Sequence, residues 1–416
     1  MKKALTIMMI LLMFATLLAG CGGSQPAAES PPAPTATPDV QPTPAPAPAP
    51  TLEPSPAPMP AGVPTLAADA AKRADDAYAF IADLHRQAST YNTTDAQYRY
   101  ILNCHDPAAS AAGEFLYAWS DAVLVATEGK IYIEVGVSNA FSTGGTMATL
   151  DEMISGSIDF DWTLPCYFKG YMPLSLAIQN PALGIKNATA GAYAMWDLYK
   201  NNADIRAEYA KSGELLFLWA NNPSPLSYKG TAEISSTAEI KGNIRGNNGP
   251  AQMFVTQVGA DIYGCPIGDV YTNVSTGVID YLITDWHGIA SFKLYEPGVL
   301  NYYLDTNIGC SAYCLMANEG VWAEITNNGF ADAIQSVSGD YLLNLIGIWE
   351  AYEINGRQSA KDNGGTIYLP NAALASDLDA AYKAVAQQWI SETGGSAQAV
   401  YDQTVALVDK YNSMYN

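Results

Sequence analysis

Apolar positions along this chain follow two rhythms, a strand-like alternation and a helical spacing of three and four, and the two succeed each other in one order twice over. In the first run, residues 98–103 alternate like a strand and Cys104-His105-Asp106-Pro107 closes it. A helix follows with Phe115, Leu116, Trp119, Ala122 and Val123 on one face. Gly129 stops that helix, residues 131–137 read as a second strand, and a loop with Gly144-Gly145 leads to a helix carrying Leu150, Met153 and Ile154. Gly156 then ends that helix before a strand at Ile158.

The second run repeats the scheme. Lys241-Gly242-Asn243-Ile244-Arg245 reads as a turn into a short strand, 252–258 as a helix stopped by Gly259, and 261–263 as a strand. A helix through Val270, Tyr271 and Val274, with Tyr271 expected in the core, reaches Gly277. Residues 278–282 form the last strand and run into Thr284-Asp285-Trp286-His287-Gly288. The junctions Gly156-Ser157-Ile158-Asp159-Phe160 and Gly277-Val278-Ile279-Asp280-Tyr281 read almost alike, each a glycine suited to a left-handed helix stop followed at once by an apolar strand. The expected fold class is α/β with two related lobes; the alternative is that any two α/β units share this grammar.

A β-α-β-α-β order with right-handed crossovers makes a parallel sheet whose ligand loops lie at the carboxyl ends of the strands. A cleft between lobes is where a small ligand then binds. By that rule the candidate ligand residues are His105, Trp162, Arg245, Asp285 and Trp286. The tryptophans suit an apolar ligand body or, equally, a lobe core. Asp285 suits a ligand hydroxyl or amine, or an internal pairing with Arg245. His105 has no nucleophile to pair with and reads as structural first, a ligand contact second.

Beyond Trp322 the pattern is helical. Apolar residues over 330–349, interrupted by Gly339 and Gly347, fit a long helix lying across both lobes, and 374–390 and 397–411 are further helices. The other end differs in kind. Residues 1–20 carry Lys2 and Lys3, an apolar run and Leu18-Ala19-Gly20 before Cys21, the pattern of a secretory signal peptide. Small residues before Cys21 resemble a bacterial lipobox, which implies acylation of Cys21 and a membrane-tethered extracytoplasmic protein; an ordinary cleaved signal is the alternative. Of the chain's 25 prolines, 15 lie between Pro26 and Pro64, so residues 21–66 read as a lipidated cysteine and a Pro/Ala-rich stalk. In extended form that stalk reaches roughly 120 Å at ~3.1 Å per residue. Residues 67–97 form a short helical lead-in with Ala70, Ala77, Phe80, Ile81 and Leu84 on one face, and the globular body is expected from Tyr98.

Charge and chemistry narrow the function. The formal net charge is −21, and the arginines are Arg73, Arg86, Arg99, Arg206, Arg245 and Arg357, so no basic stripe exists to bind nucleic acid. After Cys21, the odd number of cysteines (Cys104, Cys166, Cys265, Cys310, Cys314) leaves at least one free thiol or an intermolecular bond. His85, His105 and His287 are not at metal-ligand spacing, and no nucleophile elbow, zinc-protease helix or phosphate loop occurs, so neither a metal, a cofactor nor an enzyme activity is expected.

The ordered run of Lys241-Gly242-Asn243-Ile244-Arg245, Gly259-Ala260, Gly268-Asp269-Val270-Tyr271 and Thr276-Gly277-Val278-Ile279-Asp280 resembles the DctP-type solute-binding proteins of TRAP transporters. So do His105-Asp106-Pro107, Glu128-Gly129-Lys130, Gly156-Ser157-Ile158-Asp159, and Asn318 with Trp322. The resemblance spans about residue 98 to the C-terminus. It implies a periplasmic-binding-protein-like domain over 98–416, with one lobe over about 98–220 plus part of the C-terminal region and the other over about 221–311 plus C-terminal helices. Crossing strands and a long helix would join them. It further implies a receptor that closes on an organic acid and passes it to a TRAP permease, with Arg245 pairing the ligand carboxylate. Some members bring a second arginine from the crossover strand. Here Leu215-Leu216-Phe217-Leu218-Trp219-Ala220-Asn221-Asn222-Pro223-Ser224-Pro225 has none, which favours a monocarboxylate over a C4-dicarboxylate. Two readings stand beside this one: a surface enzyme such as a glycan hydrolase, whose paired carboxylates need no local motif, and a ligand sensor on the same fold.

Overall fold

The computed structural model describes residues 69–415. The leader, Cys21 and the proline-rich stalk lie outside the described residues. Two mixed sheets organise the body. The first has the order β2-β1-β3-β10-β4, from β1 (Tyr98–Cys104), β2 (Ile131–Gly136), β3 (Phe160–Thr163), β4 (Glu214–Pro223) and β10 (Cys310–Ala317). The second has the order β11-β9-β5-β8-β6-β7, from β5 (Leu226–Tyr228), β6 (Asn243–Arg245), β7 (Asp261–Ile262), β8 (Tyr281–Ile283), β9 (Tyr302–Leu304) and β11 (Thr366–Tyr368).

The repeat seen in the sequence is a repeat of topology. β1 lies parallel between β2 and β3, and β6 lies parallel between β7 and β8. The helix Ala111–Ala126 buries the expected face of Phe115, Leu116, Trp119, Ala122 and Val123, and Ser110 caps it by accepting from the Gly113 amide at 3.0 Å. Gly156 and Gly277 both take positive φ, 82° and 76°, as the helix stops require. In the second lobe the strands alternate as the pleat dictates, Leu282 and Tyr303 joining one core cluster and Ile283 and Leu304 another.

The chain crosses between sheets twice as strand, from β4 to β5 and from β9 to β10. Helix Gly347–Asp362 makes a third link. Its Glu350 binds Arg73 at 2.7 Å and Thr189 at 2.6 Å, Glu353 accepts from Asn222 of β4, and Arg357 grips Asp305 just after β9. A side chain at Gly356 would stand 2.7 Å from the Trp286 carbonyl, so glycine permits this helix to touch the second lobe.

Three expectations need correction. The packed body begins before Tyr98, because helix Ala70–Ala88 buries Ala70, Ala74, Ala77, Ile81 and Leu84, and Tyr78 donates to Glu114 at 2.9 Å. The long spanning helix is shorter than the spacing over 330–349 suggests. A helix at Ala331–Ser336 and a 3-10 stretch at Gly339–Leu345 precede it, broken at Gly339, whose φ is 56°. Finally, Tyr271 is exposed, because Val270 and Val274, one turn apart, take the buried face of Val270–Ser275. Of the C-terminal helices, Ala372–Thr393 packs on the second lobe through Leu374, Leu378 and Val385, whereas Ala397–Met414 returns to the first core through Val400, Val408 and Tyr411. Among the described residues the five cysteines are free thiols, and no helix is long and apolar enough to cross a membrane.

Candidate functional site

Parallel strands present their carboxyl ends along one edge, and here the edges of the two sheets face each other across a cavity with about 310 Å3 of free space, its open mouth included. The first lobe contributes His105 and Asp106 after β1, Trp162 on β3, Tyr167 in the turn beyond it, and Ser311 and Tyr313 on β10. The second contributes Arg245 at the end of β6, Asn247, and Asp285 and His287 after β8.

Arg245 is 2% exposed. Its Nε donates to the Cys265 carbonyl at 3.3 Å and its Nη2 to the Tyr167 hydroxyl at 3.5 Å, both long. Burial pushes the Tyr167 phenol up to about 12 despite the nearby guanidinium, so it offers a dipole and no charge. Among the described residues no carboxylate lies within 4.0 Å of Arg245. A guanidinium held this way on a cavity wall has the fork chemistry to take an anion through two parallel N–H donors.

Asp285, weighed as the partner of Arg245, is engaged elsewhere. It caps helix Trp286–Ser291 by accepting from the Gly288 amide at 2.8 Å, accepts from Ser311 Oγ at 3.2 Å, and stands 3.4 Å from His287 Nδ1. The other ring nitrogen of His287 is 3.4 Å from Asp106 Oδ2, so the imidazole bridges carboxylates from the two lobes at ion-pair distance. Tyr352 and Trp349 of the spanning helix close over the ring at centroid distances of 5.8 and 6.1 Å. Burial alone favours the neutral ring, but Asp106 and Asp285 outweigh it and raise His287 to about 9. In Asp285 the same pairing overcomes burial and holds the carboxyl below its ordinary value. His105 goes the other way. Its burial lowers it, Asp106 opposes, and His287 and Arg245 lower it further, so the ring is neutral.

This arrangement sets a pH dependence. His287 lies above its unfolded value of 6.5 when folded, so its bridge contributes fully below that pH and is lost as pH rises through about 9. Asp161, whose buried carboxyl is pushed up to about 7, titrates at the lower edge of this window in both proteins and cancels in their comparison. Urea denaturation from about pH 7 to about pH 9 should show wild-type stability falling faster than that of His287→Gln. Equal slopes would mean that the bridge carries no charge.

The sequence model of DctP, the bacterial extracellular solute-binding protein family 7, matches residues 104–393. The chain belongs to this family. Its fold is similar to that of a marine metagenome TRAP solute-binding protein specific for aromatic acid ligands, from an unidentified microbe, in complex with 3-hydroxybenzoate. Identity is 22% and the TM-score 0.69, over 76% of this chain and 99% of that one. A TRAP solute-binding protein from Rhodoferax ferrireducens with copurified benzoate gives the same four values. An extracytoplasmic solute receptor from Bordetella pertussis binding pyroglutamic acid matches at 18% identity and TM-score 0.64, over 74% and 99%. No curated protein matches the chain.

Within this DctP-family fold the expected site residues divide. Arg245, Asp285, His105 and Trp162 meet at the cavity, where Trp162 stacks between His105 at 4.7 Å and Tyr313 at 4.9 Å. Trp286 does not join them. It is fully buried in the second lobe's core against Tyr303 and the Arg357 guanidinium, so it supports the wall from behind. Asp106 and His287, absent from the expected residues, each adjoin one of them in the chain. Tyr167, four residues beyond the end of β3, falls under the same strand-end rule. Ser311 and Tyr313 arrive on a strand that returns from the other lobe, and nothing local marks them.

Proposed function

We propose that the protein is an extracytoplasmic receptor that binds an organic monocarboxylate between its lobes, holds it through Arg245 and delivers it to a TRAP-type permease while tethered to the membrane by an acylated Cys21. The observation that carries this reading is the buried Arg245 guanidinium, on the cavity wall and without a carboxylate partner among the described residues. The ligands of structural neighbours support it, since 3-hydroxybenzoate, benzoate and pyroglutamic acid each have one carboxyl group. Asp106 and Asp285 on the wall support it too, because a second ligand carboxylate would meet like charge.

A thermal-shift panel of organic acids tests the ligand class. Ligand at about a hundredfold over its dissociation constant adds roughly 2.7 kcal/mol to stability. Monocarboxylates should stabilise the protein and succinate or malate should not; the reverse pattern would overturn the reading. For the tether, Cys21→Ser should move the chain out of the membrane fraction, and its retention there would refute acylation at Cys21.

A further inference from the structure

We propose that the stretch of cleft wall formed by His105 and Asp106 is an acceptor subsite that selects acids bearing a hydroxyl or ammonium donor in addition to their carboxylate. The inference rests on the reading of Arg245 as the carboxylate clamp.

Three observations carry it. His105 stands buried on the cavity wall with its Nε2 3.6 Å from Asp106 Oδ1, while its Nδ1 has no hydrogen-bond partner. A neutral imidazole has one N–H and one bare nitrogen, and an ionised carboxylate only accepts. The proton therefore belongs on Nε2, facing Asp106, and Nδ1 is left as a bare buried acceptor, a group that is costly until a donor meets it. Charge points the same way. Two carboxylates, Asp106 and Asp285, flank the cation His287, so once a ligand carboxylate occupies Arg245 the rest of the wall holds one negative charge in excess. It repels a second anionic group on the ligand and attracts an N–H or O–H. The third observation is length. The Tyr167 hydroxyl meets Arg245, and the Tyr167 ring centroid lies 5.8 Å from that of His105, so clamp and acceptor both lie within reach of one phenol side chain. A ligand of similar length lying beside Tyr167 places its carboxylate on Arg245 and a donor at His105, with Trp162 and Tyr313 against its body.

Titration calorimetry of the purified full chain with matched acids tests this. The pairs are benzoate and 3-hydroxybenzoate, phenylacetate and 3-hydroxyphenylacetate, 3-phenylpropionate and 3-(3-hydroxyphenyl)propionate, with isophthalate as the dianion. The donor-bearing member should bind about tenfold tighter or more, as a hydrogen bond in a desolvated site requires, and isophthalate should not bind. In His105→Phe, which keeps a flat ring against Trp162 but has no nitrogen, the ratio within each pair should fall toward one. Should that variant fail to fold, the wild-type ratios decide alone. Arg245-dependent binding with equal affinities within the pairs, tight isophthalate binding, or an undiminished ratio in folded His105→Phe would overturn the acceptor subsite and leave the clamp standing. Failure of every acid to bind would overturn the clamp reading and this inference together.

Discussion

Arg245→Ala is expected to abolish ligand binding while the protein stays folded. The guanidinium ends a short strand, is buried, and among the described residues gives the fold two long hydrogen bonds, to the Cys265 carbonyl and the Tyr167 hydroxyl. Little of the fold depends on them. A bound carboxylate, by contrast, would take two parallel charge-assisted bonds from the fork in a site with little water. Removing one half of such a pair costs roughly 2 to 5 kcal/mol, much of it from the carboxylate left buried without a partner. The loss is about thirtyfold at the lower bound and several thousandfold at the upper. Arg245→Lys keeps the charge without the planar fork and should fall between. Titration calorimetry on folded variants checks this, and wild-type affinity in Arg245→Ala would remove the residue from the site.

Arg357→Ala should do the opposite and strike stability first. Arg357 donates to both Asp305 oxygens at 2.8 and 3.0 Å and to Glu353 at 2.9 Å, and its guanidinium lies 4.7 Å over the Trp286 ring. Its side chain is only 6% exposed. Glu353 is buried as well, and burial already pushes its carboxyl up against the pull of Arg357. Without the cation, Glu353 keeps Asn222 of β4 as a neutral donor and loses its compensating charge. Breaking a buried pair from one side costs roughly 3 to 5 kcal/mol. Because the group ties the spanning helix to the crossover strand and to the second lobe, affinity should weaken along with stability. Urea denaturation measures the effect, and a change within about 0.5 kcal/mol, the range of ordinary surface substitutions, would show that the cluster does not hold the lobes together.

The repeat, the parallel pairing within each repeat and the cavity at the strand ends were legible because they follow from helix and strand periodicity and from glycines at positive φ. The place of Arg245 was legible for the same reason, as the last residue of a strand on the cavity wall. The identity of the wall was less so. Trp162 and Trp286 both stand at strand ends, yet Trp286 opens a helix whose capping residue Asp285 faces the cavity, and that turn sends the indole into the core. Sequence position alone does not reveal such a rotation. The His287 bridge was hidden for a different reason. Its two carboxylates come from different lobes, so its charge depends on a juxtaposition that no local pattern encodes. Tyr271, in contrast, was readable: a residue next to Val270 lies off the face that Val270 and Val274 share, and the helical period excludes it from that core.

The central claim is that Arg245 receives the carboxylate of the bound acid between the lobes. A crystal structure of the protein with whichever organic acid stabilises it most tests that claim directly. One carboxylate is expected in the cavity, bonded through both oxygens to the Arg245 guanidinium at about 2.7 to 2.9 Å. An acid bound outside the cavity, or bound inside it with its carboxylate turned away from Arg245, would contradict the account.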